Sequence, residues 1–427
     1  MIGNVSSAEA QLGKTPSRIS SLERYGCYPA CLMQPPEADE IREASLGELA
    51  LAFLKLGTIA FGGPAAHLAM MEEEFVRRRR WITQAEFLDR MATANLIPGP
   101  SSTEVAIFIG QMKRGWRGLI VAGSCFIIPA ALMVSAIAWA YVRFGALPRV
   151  QGILYGIKPV VVAIVIQALG KLSRTGLRTP LLAVIAAIAA ALNVVGMSPI
   201  GVLIIAGALA AVALGMKGRL LSAGFLSTVA AGLASLRLPK LVGAAMAMFA
   251  IAAAFPVTLA RLFLSFLKIG SVVFGSGYVL LAFLRTEFVQ HLHWLTDQQL
   301  LDAVAVGQFT PGPVFTTATF IGYIVAGSVG AAVATVGIFL PGFILVWLSG
   351  PLIPRLRRSP VFSAALDGVV AGSLALMAVV TWQLGKASLV DWPTLAIFTL
   401  SLIALLRARV NSAWLIAGAG IAGWLLR

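Results

Sequence analysis

Residues Leu96-Ile97-Pro98-Gly99-Pro100-Ser101-Ser102-Thr103 return in altered form as Phe309-Thr310-Pro311-Gly312-Pro313-Val314-Phe315-Thr316, 213 positions later. Around this echo, Phe53-Leu54-Lys55-Leu56-Gly57 answers to Phe266-Leu267-Lys268-Ile269-Gly270, Phe61-Gly62 to Phe274-Gly275, and Glu74-Phe75 to Glu287-Phe288. Trp81, Thr83 and Asp89 answer to Trp294, Thr296 and Asp302 at the same offset. One residue is lost after the motif, so Gly110, Gly115, Gly118 and Pro129 match Gly322, Gly327, Gly330 and Pro341 at 212. One ancestral unit is used twice, and any fold for this chain must hold two copies of one architecture.

The solvent of that architecture follows from hydropathy. With 59% apolar and 12% charged residues in 427 positions, and a mean hydropathy of +0.88, too little polar surface remains to cover a water-soluble domain. Apolar runs of about 15 to 25 residues succeed one another from Leu46 to Leu426, near the ~20 that a helical span needs. They lack the alternation of a barrel strand, and backbone in lipid must be paired internally, so an all-α polytopic membrane protein is expected. The formal charge of +15 sits in short connections between the runs, which fits membrane anchoring and excludes a nucleic-acid partner. Three cysteines, Cys27, Cys31 and Cys125, draw no disulfide framework.

Four segments are expected: a polar tail over 1–44, a first transmembrane repeat over 45–215, a linker with one or two apolar helices over 216–258, and a second repeat over 259–427. Each repeat reads as an apolar run, a charged connection, the Pro-Gly-Pro segment and four further runs, giving about 10 to 13 spans in all. Arg77 to Arg80 correspond to Gln290-His291-Leu292-His293, whereas Arg355, Arg357 and Arg358 load a loop whose first-half equivalent holds Arg143 and Arg149. If positive loops are cytoplasmic, the halves are inverted repeats. Both flanks of 91–111 are basic, so the segment is expected to be broken or re-entrant at Pro98-Gly99-Pro100. The side of the N-terminus stays open.

Irregular backbone at membrane depth survives only where protein or a wet cavity satisfies it, so the Pro-Gly-Pro motifs mark a cavity. A helix restarting after Pro100 offers free amides and a positive dipole end, with Ser101, Ser102 and Thr103 beside it: a site for an anion. The second copy adds Thr310, Pro311, Gly312, Pro313, Thr316 and Thr317. The competing reading is a pair of structural kinks. Gly62, Gly63 and Pro64, with Gly275 in the second half, interrupt the first span of each half, either for close packing or for unwinding beside a ligand. Lys55 and Lys268 lie inside those first spans, where an ammonium must be paired, wet or snorkelling. Glu74, Glu287, Asp89, Asp302 and the unrepeated Glu104 are the acids that proton coupling would draw on. His67 has no imidazole counterpart, and His291 with His293 lacks a third zinc ligand.

Two hydrophobic halves, Phe61-Gly62-Gly63-Pro64, Trp81 and Asn95-Leu96-Ile97-Pro98-Gly99-Pro100 closely resemble the CHR family of chromate ion transporters, over roughly residues 45 to 427. The second half departs from the pattern with Gly275-Ser276-Gly277 and with Gln308 in place of asparagine. The resemblance implies efflux of the chromate dianion across the bacterial inner membrane, driven by membrane potential or proton motive force and conferring chromate resistance. It implies sulfate as the chemical relative of the cargo; Asn95 and Gln308 join the candidate binding residues, and whether the chain forms a homodimer stays open. A carrier or channel for sulfate or another oxyanion is the alternative. No enzyme activity or cofactor is expected, because the sequence holds no Walker, haem-attachment or dinucleotide motif.

Overall fold

The computed structural model describes residues 43–61, 63–217, 257–274, 277–357, 359–408, 410 and 412–426. Most of the expected tail and linker, Cys27, Cys31, Gly62, Gly275 and Ser276 lie outside the described residues.

All regular structure among the described residues is helical, and the elements occur twice in the same order. The first series is α1 (Leu46–Ile59), α2 (Pro64–Glu72) running into a π-helical turn (Glu73–Arg78), α3 (Gln84–Ala94), α4 (Ser101–Phe144), α5 (Pro148–Gly176), α6 (Pro180–Val194) and α7 (Pro199–Lys217). The second is α8 (Val257–Val272), α9 (Leu280–Leu284) running into a π-helical turn (Arg285–His291), α10 (Asp297–Phe309), a 3-10 turn (Val314–Thr316) leading into α11 (Thr317–Arg357), α12 (Pro360–Ser388), α13 (Trp392–Ile403) and α14 (Ser412–Leu426). Local sequence sets the starts. Thr83 with Glu86 and Thr296 with Gln299 form capping boxes that open α3 and α10 at matched positions.

The long elements α4 and α11 are helical hairpins. Their backbone leaves the helix at Arg114 (φ −138°, ψ 26°) and Gly115 (φ 56°, ψ −141°), and at Ala326 (φ −146°, ψ 29°) and Gly327 (φ 62°, ψ −152°). The left-handed φ at Gly115 and Gly327 is one that glycine adopts freely. The chain then folds back, bringing Gly110 against Gly118 and Gly322 against Gly330, with the Thr319 hydroxyl 2.7 Å from that of Thr335. Each hairpin therefore begins with a short arm, 101–113 or 314–325, of roughly 20 Å, less than the ~30 Å of a hydrocarbon core. The apolar stretch 91–111 is thus interrupted, with α3 and this arm on either side of the Pro-Gly-Pro loop.

The halves interlock. α5 packs on α13 and α14 of the second half, α12 packs on α6 and α7 of the first, and α4 packs on α11. Gly156 of α5 meets Ala419 and Gly423, and its repeat equivalent Gly368 of α12 meets Ala206 and Ala210. Small residues at both crossings let the backbones touch, which is how helices gain packing energy in lipid. The described residues accordingly belong to one compact unit. Ser101–Phe144, Pro148–Gly176, Val314–Ser349 and Pro360–Ser388 are the described helices long and apolar enough to cross a membrane; α6, α7, α13 and α14 are apolar but shorter.

Candidate anion site

The two Pro-Gly-Pro loops are tied to the opposite half by a matched pair of hydrogen bonds. The Gly99 amide donates to the Val273 carbonyl at 2.8 Å, and the Gly312 amide donates to the Ala60 carbonyl at 2.9 Å. Ala60 and Val273 are themselves repeat equivalents, each at the end of a first helix and one residue before a Phe-Gly break. Left-handed φ values of 135° at Gly99 and 91° at Gly312 turn the amides outward to make these bonds. Pro98, Gly99 and Pro100 thus come to the end of α8, and Pro311, Gly312 and Pro313 to the end of α1. Gly63 (φ 79°) caps α2, with Pro64 in its first turn and the His67 amide on the Gly63 carbonyl at 3.1 Å.

The chemistry around these loops is unequal. In the first half Ser102, Thr103 and Glu104 are buried behind Pro100, and Ser101 is half-buried. The His67 ring bridges the Ala60 carbonyl (Nε2, 3.0 Å) and the Ser102 hydroxyl (Nδ1, 3.2 Å). Since a carbonyl only accepts, Nε2 carries a hydrogen and Nδ1 meets Ser102. The equivalent positions of the second half hold Leu280, Phe315 and Thr317. There the hydroxyls of Thr310, Thr316 and Thr317 bond the carbonyls of Val306, Pro313 and Val314, each at 2.8 Å, closing their own turns.

Buried polar atoms without a protein partner are rare in native proteins, and each calls for a physical reason. Among the described residues, Thr103 Oγ1, both carboxylate oxygens of Glu104 and Gln308 Nε2 are such atoms, and all three residues flank the Pro-Gly-Pro motifs. Gln308 also meets the Tyr278 hydroxyl through its Oε1 at 3.4 Å. No backbone acceptor is recorded for the amides of Ser101 and Ser102 at the start of α4. The arrangement presents hydroxyl, amide and carboxamide donors, with one carboxylate among them.

Other expected residues lie elsewhere. Asn95, the C-cap of α3, is exposed. Lys268 is exposed and binds Glu287 at 2.9 Å, where the Ser265 hydroxyl also donates at 3.0 Å. Lys55, also exposed, acts on Glu74, the repeat equivalent of Glu287. Burial opposes the charge of Glu74, but Arg79, Lys55 and Arg78 outweigh it and hold the carboxyl below its usual range. Asp302 is buried between Lys158 (3.5 Å) and the Tyr141 hydroxyl (3.0 Å), both from the first half. Among the described residues no cluster of three potential metal ligands occurs.

Sequence reasoning noted His67 and Glu104 as unrepeated residues but did not place them among the anion-binding candidates. The available signal was their repeat partner: wherever one half has a polar group and the other Leu, Phe or Thr, the shared architecture does not need it.

A family model described as chromate transporter matches residues 47–216 and again 260–424, which is most of the chain. The chain belongs to the chromate transporter family. It is 34% identical over 399 residues to the chromate transport protein of Cupriavidus metallidurans, covering 91% of this chain and 97% of that one. It is 33% identical to a probable chromate transport protein of Synechococcus elongatus (85% and 89% covered) and 30% identical to the chromate transport protein of Pseudomonas aeruginosa (90% and 92%). No solved structure matches significantly. Family and helix composition together make this a multi-pass membrane protein.

Proposed function

We propose that this family member carries chromate out of the cytoplasm across the bacterial inner membrane, binding it where the Pro-Gly-Pro loops meet the ends of α1 and α8, and so confers chromate resistance. The observation that carries this reading is the set of unpartnered buried polar atoms at Thr103, Glu104 and Gln308, residues that flank the Pro-Gly-Pro loops through which the two halves exchange backbone hydrogen bonds. The amides and hydroxyls that open α4 suit the oxygens of a tetrahedral dianion. Reciprocity of the Gly99 and Gly312 bonds supports a two-fold relation between halves, and the opposite charge of equivalent loops supports its lying in the membrane plane. An inside-negative potential favours exit of each negative charge by about 2.3 kcal/mol per 100 mV, so a dianion gains about twice that.

A site made of hydrogen-bond donors separates chromate weakly from sulfate, an isostere with the same four acceptor oxygens. The test is chromate accumulation in respiring everted vesicles, with and without an uncoupler and with excess sulfate. Accumulation that collapses with the uncoupler and resists sulfate supports driven chromate export; complete displacement by sulfate makes the protein a general oxyanion carrier. Absence of accumulation refutes transport in this direction.

A further inference from the structure

Glu104 is hard to reconcile with an anion site unless it has a task there. It is fully buried, neither carboxylate oxygen has a partner, and it stands in the first turn of α4 immediately behind the Pro-Gly-Pro loop. Its side chain folds back over the start of that helix, so that a Cβ placed on Gly99 would collide with its Oε1. From the other half, Gly342 of α11 faces the same atom, a Cβ there lying 3.9 Å away. The carboxyl therefore lies over the amides that would cradle an incoming oxyanion.

Among the described residues no cation answers it. α1 offers Lys55, which is exposed and acts on Glu74. α2 offers His67, committed to Ala60 and Ser102. α3 offers Asp89 and Arg90, the latter set against the Phe108 ring, and α10 offers Asp302, held by Lys158 and Tyr141. On α4 itself Lys113, Arg114 and Arg117 stand at the hairpin turn, at the far end of the short arm from Glu104. The part of α11 from 317 to 349 carries no charged residue. An ionised carboxylate in this place would be unpaired and dry, and it would repel a dianion arriving at the same amides.

We propose that Glu104 is a proton-binding site of this protein, and that chromate occupies the cradle together with one proton on that carboxyl. The inference rests on the transport reading above. A neutral Glu104 removes the repulsion and gains a hydroxyl that donates to an oxyanion oxygen, where the carboxylate can only accept. The pair moves with one negative charge fewer than the dianion alone. The second half carries no acid directly after its Pro-Gly-Pro motif, so the shared helix start does not require one.

Thermodynamic linkage supplies the test. Radiolabelled chromate binding to the full-length protein in lipid nanodiscs is measured from about pH 7.5 to 9.5, where chromate itself is fully a dianion. One coupled proton makes affinity fall about tenfold per pH unit above the pKa of the carboxyl. Wild type and His67→Gln are expected to share that slope, while Glu104→Gln and Glu104→Thr bind with affinity independent of pH. A flat wild-type profile overturns the inference, as does a slope that survives in both Glu104 variants or vanishes with His67→Gln. If wild type melts as a folded protein yet binds no chromate at any pH, the transport reading itself falls and takes the proton site with it.

Discussion

Replacing Gly312 by alanine tests whether the cross-half hydrogen bonds hold the site together. The residue has φ 91°, and a Cβ added there would stand 2.5 Å from the Cβ of Ala130 in the returning arm of α4. Ala130 is fully buried and its Cβ has no rotamer by which to withdraw. Three terms add: about 1 to 3 kcal/mol for a left-handed non-glycine residue, about 1 to 3 for overpacking, and about 1 for the strained Gly312 to Ala60 bond. The sum is roughly 3 to 7 kcal/mol. Gly196→Ala is the control, because Gly196 also has a left-handed φ (100°) but open space around its missing Cβ, so only the first term applies. Full-length proteins are heated in detergent, and the fraction remaining monodisperse is followed against temperature. Gly312→Ala should lose its fold well below Gly196→Ala, which should lie modestly below wild type. Coincident curves for the two variants would refute the reasoning, since the loop would then be free to move away from Ala130 without consequence.

Asp302→Asn leaves the Lys158 ammonium with the Gln298 carboxamide at 2.8 Å but no counter-charge, and should cost about 1 to 3 kcal/mol, with Lys158→Met in the same protein restoring most of it in the same melting assay. Glu74→Gln should cost about 1 to 3 kcal/mol by releasing Arg79, which it holds at 2.7 Å. Because the folded-state pKa of Glu74 is lowered, its contribution is complete above the ordinary carboxylate pKa and is lost as pH falls through the lowered value. Melting curves taken at successively lower pH should therefore converge for wild type and Glu74→Gln. Lys268→Met should leave chromate transport within about twofold of wild type, because that ammonium is half exposed and serves Glu287; abolished transport at normal protein level would place the lysine in the anion path.

Much of the helical order was legible before any coordinates. The offset of matching residues anticipates every paired element, and Thr83 and Thr296 announce the starts of α3 and α10 through their capping boxes. The prolines of the two motifs do end one helix and begin another, because neither can donate to a helical ladder. What the sequence hid was the partner of each feature. Nothing in Gly99 names Val273, and nothing in the repeated pattern Lys55/Glu74 and Lys268/Glu287 tells a lysine in an apolar run from a ligand, until the second helix brings the acid alongside. The turns of α4 and α11 fall where the end of the 91–111 segment and its repeat already separated one apolar run from the next, and only the left-handed φ of Gly115 and Gly327 needed coordinates.

The two halves share their framework and divide their chemistry. Ring clusters recur at matched positions, with Phe53 and Phe75 at 4.8 Å and Phe266 and Phe288 also at 4.8 Å, and so do the hinges and loop bonds. These backbone-positioning features are duplicated. The features that touch the loops with free polar groups are not: His67, Ser102 and Glu104 face Leu280, Phe315 and Thr317 across the pseudo-symmetry, and the second half turns its own hydroxyls inward. A symmetric frame that can rock around a fixed point needs only one polar face at that point, because two carboxyls there would repel each other as well as the cargo. Introducing a second acid by Thr317→Glu should thus weaken chromate binding beyond the loss caused by Thr317→Ala, and equal losses would show that position 317 does not face the cavity.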